Sequence, residues 1–295
     1  MITLNEAEAV DAGLSSVKER NENRVFQALD SLTGIAEDFL SENEEADAER
    51  VILSISDIAQ AATQESMEFV TINSVIALGK LAKIAAKKGY GSALNRATIA
   101  AGKLGITAAS NSLEAGSKVA STTLMEIWNL SSPEKKDREE MVAFSLLLKD
   151  IGSAAASQGM EEALLNSATC LGEIGKKEAS ESLEIETINT LILLEEIGGI
   201  AAEKYFDEAL SSIALSIEDT GKLSLKKGLF EAALQSQWAL ETLKVKAEEN
   251  SLTNSPIVME MALDSFKLTG VTETDEIIQR LQEIKELQKK VYSSL

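Results

Sequence analysis

The chain has 295 residues, 44% of them apolar, and a formal net charge of −20 at neutral pH. This excess of carboxylates repels polyanions and argues against nucleic-acid binding, and the apolar content is too high for a mainly disordered chain. The sequence contains no histidine and one cysteine, Cys170, which excludes imidazole-assisted catalysis, histidine-ligated metals and an intramolecular disulfide.

No uninterrupted apolar stretch reaches the roughly 18 residues that a membrane span needs, and no secretory leader opens the chain. We therefore expect a cytoplasmic protein without a membrane-spanning segment and without a cofactor. Cys170 lies on an apolar helical stretch with no neighbouring cation, which is typical of a buried structural thiol rather than a reactive one.

The dominant pattern along the chain is an apolar residue that returns every 23 residues. Residues 1–45 follow this pattern only weakly. The stretch from Glu37 to Glu49 is acidic. The repeat positions are Leu32, Ile55, Leu78, Ala101 and Leu124 and, after a slip of one residue, Leu148, Leu171, Leu194, Ile217, Leu240 and Leu263. A fixed period of this length is typical of stacked repeat proteins.

The period predicts separate helices rather than one long coiled coil. At about 100° per residue, 23 residues return about 140° away from the starting direction, so turns must interrupt the helix. The turns are expected at Ser66–Met67, Gly89–Tyr90, Ser112–Leu113, Gly159–Met160, Ser182–Leu183, Tyr205–Phe206, Gly228–Leu229 and Ser251–Leu252. Short turns make neighbours antiparallel, so we predict an all-α solenoid of about 13 helices, paired in 46-residue hairpins.

Glycines recur inside these predicted helices, where each costs about 1 kcal/mol relative to alanine. Because they fall beside one repeat position, we interpret them as sites where neighbouring helices pack closely. The residues assigned to helix packing are Gly105, Gly152, Gly175, Gly198 and Gly221. A phosphate-binding loop would instead require glycines between a strand and a helix.

The phrase Leu171–Gly172–Glu173–Ile174–Gly175 resembles the Leu-Gly-x-Ile-Gly phrase of HEAT-type repeats, and the 46-residue double unit is similar in length to HEAT and armadillo repeats. The resemblance covers roughly residues 30–250 and implies a scaffolding or protein-binding role. The Asp and Val-Arg residues that usually link HEAT helices are absent from the turns, so a divergent relative fits better than strict membership.

The slip in the repeat falls where the apolar pattern is interrupted by a charged run. We predict N-terminal helical repeats over 1–130, a longer loop over 131–138 and C-terminal helical repeats over 139–255. Ser132 followed by Pro133 is a typical helix start. Capping helices are expected over 256–295, and one continuous solenoid would contain all of these segments.

The last predicted helix runs from about Thr274 to Tyr292. Its apolar side is formed by Ile277, Leu281, Ile284, Leu287 and Val291. We expect this helix to cap the last repeat, and the alternative is a coiled-coil seam between two copies of the chain.

The favoured function is a non-enzymatic scaffold that binds another protein, with a neutral or basic surface, through its curved helical face. Trp128 and Trp238 are the candidate contact residues, because tryptophan is enriched in binding hot spots and Trp128 occupies a position where other repeats carry glycine or alanine. The alternatives are a self-assembling structural protein and an enzyme that uses carboxylates alone, drawing on pairs such as Glu195–Glu196.

Overall fold

The computed structural model describes residues 5–130, 137–266 and 275–295, and these residues form thirteen α-helices and no strand. The helices are α1 (Glu6–Lys18), α2 (Glu22–Glu42), α3 (Glu45–Gln64), α4 (Glu68–Lys88), α5 (Gly91–Ser110), α6 (Glu114–Trp128), α7 (Arg138–Ser157), α8 (Glu161–Ser180), α9 (Glu184–Glu203), α10 (Asp207–Lys227), α11 (Phe230–Glu249), α12 (Ser255–Phe266) and α13 (Asp275–Ser294). The predicted all-α repeat architecture is confirmed.

The contacts divide the chain into two units, residues 1–130 and residues 131–295. Within unit 1, and from α7 to α12 in unit 2, each helix packs on its neighbour in sequence and on the helix one place further along. Each unit therefore has two layers. In unit 1, α1, α3 and α5 form the odd layer and α2, α4 and α6 the even layer. In unit 2, α7, α9 and α11 form the odd layer and α8, α10 and α12 the even layer.

The 23-residue repeat positions form the centre of both units. From Leu32 to Leu240 all ten are fully buried, and Leu263 in the short helix α12 is partly buried. Burial of a leucine or isoleucine side chain contributes about 1.5–3 kcal/mol. The same repeated residue therefore holds each helix from α2 to α11 in place, in both layers.

The helices are separated by one recurrent turn. The first residue of all eight predicted turns has a positive φ, from 56° at Ser251 to 80° at Gly159. The next residue donates its N–H to the carbonyl five positions earlier, as Met67 does to Ala62 at 3.0 Å. This is the Schellman motif, which satisfies carbonyls at the end of one helix while the chain reverses.

Several helices begin without a capping side chain of their own and take one from the helix two places earlier. Glu45 of α3 accepts hydrogen bonds from the N–H groups of Ser92 and Ala93 at the start of α5, at 3.1 and 3.3 Å. Glu68, Glu161 and Glu184 make the equivalent bond to Ala115, Ala209 and Glu231. We call these carboxylates the borrowed caps. They satisfy N–H groups that a helix start leaves unpaired.

By contrast, α1, α2 and α7, which begin the two units, are capped by their own Asn5, Asn21 and Asp137. The predicted start at Ser132 and Pro133 lies outside the described residues, as does the side chain of Ile277. The described part of α7 begins at Arg138.

Helix packing is close at the glycines. A Cβ placed on Gly198 would lie 2.8 Å from Leu243 Cδ1, and one on Gly175 would lie 3.1 Å from Thr190 Cγ2. A Cβ on Gly152 would lie 3.3 Å from Ile197 Cδ1. Gly105 and Gly221 are buried in α5 and α10. Gly152, Gly175 and Gly198 therefore have little or no room for a larger side chain.

One described helix, α4, is long and apolar enough to cross a membrane by length and composition. Half of its most apolar 18-residue window is buried inside the protein, where α4 packs against α2, α5 and α6. A core helix passes the same test, so composition gives only weak evidence for a membrane span here.

Candidate helix-binding surface

The structure corrects one of the two tryptophan assignments. Trp128 was expected to face outward, but its side chain is fully buried at the end of α6. The reason is helical geometry: Trp128 follows the buried repeat residue Leu124 by four positions, so both side chains lie on the same side of α6. Trp238 in α11 is partly exposed. Trp128 is therefore not available to contact a partner protein.

The surface that does hold a partner element lies on the odd layer of unit 2, where α13 packs on α7 and α9. Val142 and Leu146 of α7 and Leu193 of α9 form a buried apolar cluster with Val291 of α13. We call the surface formed by Val142, Leu146 and Leu193 the α13 seat. Leu287 and Leu295 pack at its margin together with Ala143.

Polar contacts surround the apolar centre of the seat and fix the position of α13. Gln288 Nε2 donates to Oδ1 of the buried Asn189 at 3.0 Å, and Lys290 pairs with Glu139. Tyr292 donates its hydroxyl proton to Asp150 Oδ1 at 2.9 Å. Burial and the charge of Asp150 raise the pKa of Tyr292 to about 12, so the hydroxyl remains a donor at neutral pH.

The position of α13 differs from the expectation that it caps the last repeat. Its described packing is on α7 and α9, at the beginning of unit 2, rather than on α11 and α12 at the end. The reason is that α7 presents apolar side chains on more than one side: Met141, Val142 and Leu146 are buried as well as the repeat residue Leu148. A helix with apolar side chains on two sides requires a further partner.

Below the seat, unit 2 buries a set of polar side chains. Glu178 of α8 is fully buried, and its Oε2 accepts a hydrogen bond from the Thr190 hydroxyl at 2.8 Å. Thr190 is 3.4 Å from the buried Ser145 hydroxyl, and Glu186 pairs with Arg138 at 2.7 Å. Burial, reinforced by the negative charge of Glu186, raises the pKa of Glu178 to about 8. Glu178 is therefore neutral at physiological pH.

Cys170 and two of the carboxylates that could take part in catalysis have structural surroundings among the described residues. No group of three or more metal-binding side chains occurs among them. Burial raises the pKa of the Cys170 thiol to about 11, which makes a thiolate nucleophile unfavourable. Of the carboxylate pairs, Glu161 is a borrowed cap, and Glu195 accepts a hydrogen bond from Gln235 at 3.2 Å, with its pKa raised chiefly by burial. These carboxylates have structural partners.

A second surface with exposed apolar side chains lies on the even layer of unit 2. Leu215 of α10 and Ile257 and Met261 of α12 are 50, 61 and 69% exposed. Ser265 bonds to Glu218 and Asn254 to Asp207, which fixes a register of 47 residues between these helices. Leu215 and Met261 are 46 residues, or two repeats, apart and occupy equivalent repeat positions on neighbouring helices.

Sequence reasoning missed both the α13 seat and the borrowed caps. The dense apolar content of α7, where Phe144, Leu146, Leu147 and Leu148 are all buried, is the signal for the seat. The signal for the caps is an acidic residue at the first position of neighbouring helices, as at Glu45 and Glu68 and again at Glu161 and Glu184. This acidic position repeats at the same 23-residue step.

No family model matches the sequence, and no curated protein matches it. Among solved structures, the chain is similar to a "Circular tandem repeat protein with novel repeat topology and enhanced subunit contact surfaces", at 13% identity and a TM-score of 0.39, over 97% of this chain and 84% of that one. It is also similar to the "DHF58 filament", at 14% identity and a TM-score of 0.27, over 90% and 98%. These similarities are too weak to indicate a function for this chain.

Proposed function

We propose that this protein is a non-enzymatic helical-repeat scaffold that binds a helical segment of a partner protein at the α13 seat. One observation carries the proposal: α7 and α9 hold an amphipathic helix on their outer side through an apolar centre and a polar margin. This is the helix-in-groove mode of recognition, in which residues spaced by three or four positions anchor the ligand.

The contacts of α13 define the chemistry of the partner. Leu287 and Val291, four residues apart, supply the apolar anchors, and Gln288 supplies an amide for Asn189. The margin of the seat contains the carboxylates of Glu139, Asp150 and Glu196, and Lys149 pairs with the last two. The excess of acid favours a partner helix with basic or neutral flanks, consistent with a cytoplasmic scaffold whose overall charge is strongly negative.

Because α13 fills the seat, a partner helix must displace it. The affinity of the protein for a partner is then reduced by the fraction of molecules in which the seat is open. A change that weakens the attachment of α13 is therefore expected to increase partner binding without altering the seat itself.

A fluorescent peptide of residues 275–295, titrated into the full-length chain, tests the proposal. The Val291→Asp variant places a charge in the apolar cluster and should release α13 from the seat. We expect this variant to bind the peptide at least tenfold more tightly than the wild-type chain does. Anisotropy measures binding, and circular dichroism confirms that the variant retains its helices.

Two controls make the result specific. Lys289→Asp changes an exposed residue of α13 and should leave the seat occupied, so that peptide binding stays at the wild-type level. A peptide that itself carries Val291→Asp should not bind either chain. If the released variant binds both peptides equally or binds neither, the α13 seat is not a helix-binding site.

Self-assembly is the second candidate, favoured by the exposed apolar side chains of Leu215, Ile257 and Met261. If these side chains join copies of the chain, the molar mass measured by light scattering should increase with concentration, and Met261→Lys should abolish the increase. Thr169→Lys, on an exposed position of α8, is the matched control. A constant monomer mass for the wild-type chain would reject this candidate.

A further inference from the structure

We propose that the α13 seat is also filled in trans by α13 of a second copy of this chain, so that two copies exchange their C-terminal helices. The inference rests on the proposed function, because both require the seat to accept a helix as a ligand. It adds the identity of one partner, a second copy of the chain.

The α13 seat is complementary to α13 of a second copy. A second copy carries the same Val291 for the cluster of Val142, Leu146 and Leu193, together with the same polar residues of α13. Exchange of an identical element therefore recreates every contact of the seat and requires no new surface. For any other partner the fit must first be demonstrated.

The position of α13 in the sequence also permits exchange. It follows α12 in sequence but packs on α7 and α9, which begin the unit. Gln288 bonds to a residue 99 positions earlier, and Lys290 pairs with one 151 positions earlier. The attachment of α13 is thus a contact between distant parts of the sequence, and the seat does not require that the helix belong to the same copy.

The balance between the closed monomer and the exchanged dimer depends on the concentration of the chain. The attachment fully buries few side chains, chiefly Ile284 and Val291, and its polar contacts at Lys290 and Tyr292 lie at an exposed margin. Tethering within one chain gives α13 an effective concentration on the order of mM for its own seat, so the closed monomer dominates in dilute solution. Once one helix has crossed, the second exchange occurs within the same dimer, which favours reciprocal occupation at high concentration.

Disulfide trapping between differently tagged chains tests the proposal. In a Cys170→Ala background, one chain carries Leu146→Cys and the other carries Val291→Cys, two positions that share the seat cluster. The chains are mixed, incubated at increasing concentration and oxidised. We expect a disulfide-linked dimer of the two tags that rises at least fivefold as the concentration increases from micromolar toward millimolar.

Two matched samples separate the possible outcomes. Lys289→Cys in place of Val291→Cys puts the thiol on an exposed position of the same helix and should give no concentration-dependent product. A single chain with both Leu146→Cys and Val291→Cys should close within itself. If it closes while the mixed chains link no more than the Lys289 control, exchange is rejected and the seat is retained. If the double variant does not close, the seat and the proposed function are both rejected.

Discussion

Units 1 and 2 share one repeat and one two-layer arrangement, but they differ in the polar side chains that they bury. Among the described residues of unit 1, the buried polar side chains are serines and threonines, as at Thr63, Thr71 and Ser74. Unit 2 also buries Glu178, Glu186, Asn189 and Gln235. A buried hydroxyl can bond to a carbonyl of its own helix, as Ser74 does to Val70. Glu178, Glu186 and Asn189 instead bond to side chains of other helices.

The difference separates the residues that determine the stacked helices of both units from the residues that make unit 2 distinct. The 23-residue positions and the turns are equivalent in both units and give the stacked helices. The residues that distinguish unit 2, such as Leu146, Asn189 and Leu193, lie outside that repeat and form the surroundings of α13. We therefore expect variants at repeat positions to affect stability in either unit, and variants in the seat to affect unit 2 alone.

The largest effect is expected from Gly175→Leu in unit 2. Even a Cβ at this position would lie 3.1 Å from Thr190 Cγ2, so the larger side chain must force α8 away from its neighbours. We expect a loss of about 3 kcal/mol in the free energy of unfolding, measured by urea denaturation. Gly34→Leu in unit 1 is the control, because no atom lies within 4 Å of its Cβ. Equal stabilities of the two variants would contradict the assignment of Gly175 to a helix contact.

The second effect is a dependence of unit 2 on pH through Glu178. Its pKa in the folded protein, about 8, lies above the ordinary value of 4.5. The stability that the neutral carboxyl contributes is therefore present below pH 4.5 and is lost as the pH rises through 8. Glu178→Gln removes the ionisation, and we expect it to stabilise the protein by about 3 kcal/mol at pH 8 and little at pH 5.

Hydrogen exchange at the two pH values measures this effect locally, after correction for the intrinsic pH dependence of exchange. Protection of α8 and α9 should decrease at pH 8 in the wild-type chain but not in the variant, while protection of α3 and α5 in unit 1 should be unaffected. A wild-type chain with the same pH profile as the variant would show that Glu178 is ionised in the folded protein.

The third effect is the loss of a cap that α12 takes from Asp207 of α10, in the same way as the helices that use the borrowed caps. Asp207 accepts hydrogen bonds from the N–H groups of Asn254 and Ser255 at 2.9 and 2.8 Å, at the start of α12. Although burial opposes it, these bonds hold the pKa of Asp207 at about 2, so its contribution is complete above the ordinary value of 3.8 and is lost as the pH falls from there through 2. Asp207→Asn should cost about 1 kcal/mol at pH 7.

Thermal unfolding measured beside Glu208→Gln, an exposed neighbour, isolates the contribution of the cap. If the two variants have the same midpoint, the carboxylate of Asp207 does not stabilise α12. Asp137→Asn provides the comparison with a helix that uses its own cap, since Asp137 accepts from the N–H of Glu140 at 2.7 Å.

The smallest effect is expected at the ion pairs between helices of one layer. Lys83 and Glu126 of unit 1 are 2.7 Å apart, but both side chains are about half exposed. Lys83→Ala should change the free energy of unfolding by less than about 0.5 kcal/mol. A double-mutant cycle with Glu126→Ala measures the coupling, and a value above about 1 kcal/mol would show that these pairs hold the layer together.

Much of the arrangement of helices and turns could be predicted from the sequence, because it depends on local residue patterns that recur in every repeat. The predicted turns contain residues such as Ser66, Gly89 and Tyr205, and all eight adopt the left-handed conformation. The repeat positions from Leu32 to Leu240 are all buried. Each prediction required only helical periodicity and the chemistry of helix ends.

The candidate site could not be predicted in the same way, because it depends on contacts between distant residues that do not repeat. The spacing of Ile284, Leu287 and Val291 indicates an amphipathic helix but not the surface that it covers. Trp128 was misjudged because its position was compared with other repeats rather than with Leu124 on its own helix. The borrowed caps join residues about 47 positions apart, beyond the reach of local capping rules.

The borrowed caps also constrain how such a chain can lengthen during evolution. Each cap joins a helix to the next helix of the same layer, so duplication of a hairpin supplies a complete set of donors and acceptors. Duplication of one helix between α9 and α12 would transfer every later helix to the opposite layer and separate α13 from the side on which α7 and α9 receive it. Insertions of an even number of helices should therefore be inherited more readily than insertions of an odd number.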